Sequence, residues 1–149
     1  MSEETRIVSA ERVVAADAAT IFELIADPAQ QPRWDGNDNL SEAATGQRVH
    51  QVGDTFVMKL TNDNVRENHI VEFEEGRRIA WKPSAPGEEP PGHLWRWELE
   101  QQGDATLVRH TYDWTLLDDP KRLERARSTK EPQLMASIER LAALAETLK

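Results

Sequence analysis

Residues 94–114 read LWRWELEQQGDATLVRHTYDW, and their period is two. Trp95, Trp97 and Leu99 share one side of the first half. Val108, His110, Tyr112 and Trp114 share one face of the second, against Arg109, Thr111 and Asp113. Such alternation marks a half-buried strand, whose successive side chains point to opposite faces. Gln102-Gly103-Asp104 between the halves is a hairpin turn signal. The stretch therefore predicts two antiparallel strands whose inner face is aromatic rather than aliphatic.

The same period extends toward the N-terminus. DTFVMKL (54–60) puts Phe56, Met58 and Leu60 on one face, and RRIAWKP (77–83) puts Ile79 and Trp81 together. In VRENHIVEFEE (65–75), Val65, Glu67, His69, Val71 and Phe73 alternate with Arg66, Asn68, Ile70 and Glu72. The odd-numbered set is assigned to the inner face, with Glu67 and His69 toward one end. SAPGEEPPG (84–92) is too rich in Pro and Gly for a strand and predicts a loop. Strands joined consecutively by tight turns read as an antiparallel meander. Further upstream, Arg6–Val14 predicts a first strand, and Leu40–Ala44 a short one. AATIFELIAD predicts a helix with Ile21, Phe22, Leu24 and Ile25 inward, Asp17 as its cap and Asp27-Pro28 as its stop. A second short helix is expected from Pro28 to Trp34.

Downstream, a short charged element is expected over Asp118–Arg127. Ser128 or Thr129 then caps a long last helix with Glu131 and Pro132 in its first turn. Leu134, Ile138, Leu141, Ala145 and Leu148 recur every three or four residues, with Met135 and Ala142 beside them. This stripe needs a partner, and the inner face of the meander is the large candidate. The expected architecture is α+β: an antiparallel sheet of about six or seven strands wrapped around a C-terminal helix, as one domain over residues 1–149.

The opening VSAERVVAADAATIFELIADPAQQPRW resembles the N-terminal signature of the START-like (SRPBCC) superfamily, in its polyketide cyclase/dehydrase branch. The matching positions are Val14, Ala18, Ile21, Phe22, Ile25, Asp27, Pro28, Arg33 and Trp34. VEFEEGRRIAWKP, Trp95-x-Trp-x-Leu99 and GDATLVRHTYDW are similar to that family's later strands. The resemblance implies the helix-grip fold, with a hydrophobic pocket between sheet and helix. It does not name a ligand, because one fold hosts many functions.

With the helix packed on the inner face, a pocket would be lined by Phe56, Met58, Val71, Phe73, Trp81, Trp95, Trp97, His110, Tyr112 and Trp114, with Ile138 and Leu141 from the helix. A filled core normally relies on Leu, Ile and Val. Large rings with polar tips suit a cavity lined by apolar groups with a few convergent polar ones. The alternative is that these rings simply fill the interior. Trp34 is expected as a structural plug. The leading function is binding of a small hydrophobic or aromatic molecule such as a lipid, steroid or polyketide. The rival is a cyclase, aromatase or dehydratase working by acid/base chemistry without a cofactor, through His110, Tyr112 and His69. A third class is a protein-interaction domain like the superfamily's chaperone-activator branch.

Composition narrows the partners. Among 149 residues, 27 acidic side chains face 18 basic ones, for a net charge of -9. That charge repels phosphate backbones and anionic membrane surfaces, so neither nucleic acid nor membrane insertion is expected. There is no cysteine, which removes disulfides, thiolate metal sites and a thiol nucleophile. No Ser-His-Asp order, phosphate loop or metal spacing occurs, the His93/His110 pair included, so neither metal nor cofactor is expected. The N-terminal MSEETRIVSAER reads as lacking a secretory signal, which makes the cytoplasm the expected compartment. A homodimer stays open.

Overall fold

A computed structural model describes residues 5–148. The start of the N-terminal stretch read above, residues 1–4, lies outside them. Strand β1 (Ile7–Val14) leads into helix α1 (Ala18–Ala26). Asp17 caps α1 by accepting from the Thr20 N–H at 2.9 Å, and Asp27 ends it. Asp27 then caps a 3-10 turn at Pro28–Gln30, which runs into the single-turn helix α2 (Gln31–Trp34). The meander follows as β2 (Leu40–Glu42), β3 (Thr55–Leu60), β4 (Val65–Glu74), β5 (Arg78–Ser84), β6 (Leu94–Gln102) and β7 (Ala105–Asp113). Pairing is antiparallel throughout, in the order β1-β7-β6-β5-β4-β3-β2. The first strand thus joins the last, and the expected α+β sheet of seven strands is present.

Two helices close the chain, α3 (Pro120–Ser128) and α4 (Glu131–Thr147). The expected cap of the last helix is corrected. The Ser128 and Thr129 hydroxyls donate to the Arg125 carbonyl, at 2.7 and 3.1 Å, and so finish α3 instead. The first turn of α4 is held by Lys130 N–H donating to the Gln133 side-chain oxygen. Leu134, Ser137, Ile138, Leu141, Ala142 and Ala145 form its buried stripe. Leu148, expected in that stripe, is exposed because the helix ends one residue before it.

Two glycines mark close approaches. A Cβ on Gly36 would overlap the backbone of Ala136 and Ser137, so the segment after Trp34 can lie flat on α4. The Gly36 N–H donates to Ser137 Oγ at 3.0 Å, which fixes that contact. Gly92, at φ +126°, sits against the Leu116 carbonyl where no side chain would fit.

One strand departs from the expected phase. Ile70 pairs with Trp81 and Glu72 with Ala80, so Val71 is the extra residue of a β-bulge. Before the bulge the even residues face inward, and Asn68 and Ile70 are buried. After it the odd ones do, and Phe73 meets Phe22 edge-on at 5.6 Å. Alternation read straight through the bulge therefore misplaces Glu67, His69 and Val71. Val71 is exposed. His69 pairs its Nε2 with Ser84 Oγ at 3.0 Å. Glu67 accepts from the Gly87 N–H and anchors the Pro/Gly-rich loop.

Candidate functional site

Between the inner sheet face and the N-terminal part of α4 lies a cavity of about 470 Å³. Its aromatic wall follows from the register of β6 and β7. Trp95 pairs with Tyr112 and Trp97 with His110, so four rings share one face on adjacent strands. Trp95 and Tyr112 are 4.2 Å apart between centroids, and Trp97 stacks on His110 at 3.7 Å with a 14° interplanar angle. Trp34 meets Trp97 edge-on at 5.2 Å. Trp81 from β5 and Met58 from β3 continue the wall. Four of the five tryptophans, all but Trp114, line the cavity.

The polar groups are fewer and placed unevenly. Trp34 Nε1 donates to the Leu24 carbonyl at 2.8 Å, and Gln31 Nε2 to the Ile25 carbonyl at 3.0 Å. Asp35 is buried, and its carboxylate accepts from the N–H groups of Asn37, Asn39 and Leu40. This closes the loop that follows α2. Trp97 Nε1 and His93 Nδ1 are buried with no hydrogen-bond partner among the described residues. At the mouth, Arg66 from β4 and Arg122 and Arg125 from α3 join His93, Ser128, Thr129 and Gln133.

Burial sets the protonation of the inner groups. His110 Nδ1 lies 3.2 Å from the Arg96 carbonyl, which can only accept, so Nδ1 carries the proton and Nε2 keeps its lone pair. Burial pushes the His110 imidazole down to about 3. Burial, with the charges of Arg122, Arg66 and Arg125, pushes His93 down to about 4. The Tyr112 phenol is pushed up to about 12, chiefly by burial against the opposing pull of Arg125 and Arg122. At neutral pH all three are uncharged.

Of the twelve residues expected to line a pocket, Met58, Trp81, Trp95, Trp97, His110 and Tyr112 do so. Phe56, Trp114, Ile138 and Leu141 are buried in packed core and do not line the cavity. Phe73 packs against that core as well, and Val71 faces solvent. Trp34 is both a plug, through its bond to Leu24, and part of the wall. Residues 84–92 do not line the cavity, although Pro83 and His93 on either side of them do. Arg66, Asn68, Leu134 and Ser137 were missed, as were Arg122 and Arg125. The bulge hid the first two. Spacing puts Arg122 and Arg125 on one face of a helix, but nothing in the sequence says that this face meets a cavity. No cluster of metal-ligating side chains occurs among the described residues, and none of their helices is long and apolar enough to cross a membrane.

A seven-stranded antiparallel sheet gripping one long helix, with a lined cavity between them, places the molecule among the helix-grip, START-like proteins. The chain belongs to the polyketide cyclase/dehydrase and lipid transport family, whose model matches residues 5–146. Solved structures agree on the fold. Protein MLL2253 from Mesorhizobium loti is 15% identical with a TM-score of 0.72, covering 97% of this chain and 99% of that one. DynU16, from the dynemicin biosynthetic locus, is 18% identical with a TM-score of 0.66, and this chain spans 49% of it. The Aha1 dimer from Colwellia psychrerythraea is 14% identical with a TM-score of 0.61, covering 97% of this chain and 96% of that one. None of the curated proteins matches in sequence.

Proposed function

We propose that this protein binds a small apolar or aromatic molecule in the cavity between its sheet and α4. The observation that supports this reading is the wall itself: Trp34, Trp81, Trp95, Trp97 and Tyr112 around about 470 Å³. That volume lies in the range of small-molecule pockets, roughly 300–1,000 Å³. A ligand losing about 200 Å² of apolar surface there gains roughly 5 kcal/mol before ordering costs. Calorimetry and intrinsic tryptophan fluorescence against steroids, flavonoids, polyketides and fatty acids test it. A ligand of this kind shifts the emission. Unmoved fluorescence and no heat across the whole panel would overturn the open-cavity reading.

A second reading is a cofactor-independent cyclase, aromatase or dehydratase. It is favoured by His110 and Tyr112 standing two residues apart on the inner face of β7 within the cavity wall, with His69 outside it. Binding ranks first because burial drives His110 to about 3 and Tyr112 to about 12, away from the neutral range where general acids and bases work best. If the second reading is right, replacing both by Phe abolishes turnover of a polyketide substrate and leaves its affinity largely intact. An interaction domain ranks last, since the exposed large apolar side chains are spread over β1, β3, β4 and several loops. The cytoplasm as compartment and a homodimer as assembly belong to the proposal too, and sedimentation tests the latter.

A further inference from the structure

The chain is acidic overall, yet the cavity mouth is basic. Arg66 stands on the inner face of β4, and Arg122 and Arg125 lie three residues apart on α3. Arg122 is paired with Asp119 at 3.1 Å. Arg66 donates only to the carbonyl of Val65 beside it, at 3.1 Å, and neither it nor Arg125 has an ion pair among the described residues. Asp35 is the one carboxylate in the wall among the described residues, and its oxygens already accept from three backbone N–H groups. The Arg66 guanidinium is held below its usual range by burial and by the charges of Arg122 and Arg125. Arg122 has Asp119 as its partner, but Arg66 and Arg125 leave two uncompensated like charges beside it at the edge of the cavity, and an anion joining them would relieve their repulsion.

Resting on the cavity reading above, we propose that the ligand is an organic anion, with an aromatic body on the tryptophan wall and an oxyanion head held by Arg66, Arg122 and Arg125. Guanidinium groups suit such a head because their fixed fork matches carboxylate and phosphate oxygens. The two sources of an oxyanion, a carboxylate and a phosphate ester, share this chemistry.

The test is calorimetry on the full chain with three ligands sharing one body: 2-naphthoate, 2-naphthyl phosphate and neutral 2-naphthamide. At least one anion is expected to bind about tenfold or more tighter than the amide, with an advantage that shrinks as salt is raised. The stronger of the two identifies the head group. In the R66Q/R125Q double variant, checked for an unchanged thermal transition, that advantage is expected to fall to about twofold or less while amide affinity holds. Should the amide bind the native protein as well as both anions do, the anion proposal is overturned and the cavity reading stands. An advantage that survives in R66Q/R125Q overturns it too. If none of the three binds, the anion proposal is overturned, and the cavity reading is decided separately by the ligand panel above.

Discussion

The last helix meets the sheet in two different ways along its length. In its middle and C-terminal part, Ile138, Leu141, Ala142 and Ala145 are fully buried in one packed cluster with Ile21, Phe22, Ile25 and Val14. Toward its start, Leu134 and Ser137 border a cavity walled by indoles, an imidazole and a phenol. Branched aliphatic side chains interdigitate and leave no room. Flat rings stacked side by side, as Trp97 lies on His110, make a stiff wall that cannot collapse inward. One helix thus anchors the fold at one end and leaves space at the other.

The largest expected effect tests the solid end. Ile138→Ala and Leu141→Ala are each expected to lower stability by about 2–5 kcal/mol, in the upper half of that span, because the void they leave is new. Urea denaturation should show a lower midpoint with an unchanged slope. A loss below about 1 kcal/mol at both sites breaks the comparison, since the solid end would then not be solid.

A pH dependence follows for the cavity end. The His110 imidazole is held near 3 in the folded chain and near 6.5 once unfolded, so between those values only the unfolded state takes up the proton. Stability is therefore full above about pH 6.5 and is lost as pH falls toward 3. At pH 5 the loss from His110 is about 2 kcal/mol, at about 1.4 kcal/mol per unit. His93 acts in the same direction. His110→Phe is expected to flatten the stability profile between pH 7 and 5, and a profile as steep as before would show that His110 is not the buried neutral group described. Smaller again is Leu134→Ala, expected at about 2 kcal/mol or less, because its side chain already borders empty space. It is also expected to alter ligand affinity, which Leu141→Ala should leave alone.

The solid end was the more legible in the sequence. The 3.6-residue stripe of α4, the Asp17 cap and the alternation of β6 and β7 each state locally what the fold does globally, and the aromatic face at 95, 97, 110 and 112 falls where the period puts it. The polar half of the cavity was not legible, for two physical reasons. A β-bulge at Val71 changes the phase of β4 without any residue that announces it, so Arg66 and Asn68 fell on the wrong face. The arginines of α3 look like an ordinary solvated surface until the tertiary fold swings that helix over the mouth. Ile138 and Leu141 were read as cavity wall because a stripe shows which side of a helix is buried and not how far along it the partner surface stays in contact.

The smallest expected effect is the sharpest test of how the two ends differ, because it predicts near-cancellation. Trp97→Phe removes apolar contacts with His110 and Trp34, a loss of about 1–2 kcal/mol for the missing ring atoms. It also removes a buried N–H that has no partner among the described residues, and such an orphan costs about 1–3 kcal/mol. The net change in stability is therefore expected within about 1 kcal/mol of zero. Trp34→Phe is the control: it trims a neighbouring indole in the same way, but its N–H donates to the Leu24 carbonyl at 2.8 Å. Losing that bond orphans a buried acceptor, so Trp34→Phe should cost at least about 1 kcal/mol more than Trp97→Phe. Paired denaturation curves measure the difference. If the two substitutions cost the same, the Trp97 N–H carries no orphan penalty, and the expected near-cancellation fails with it.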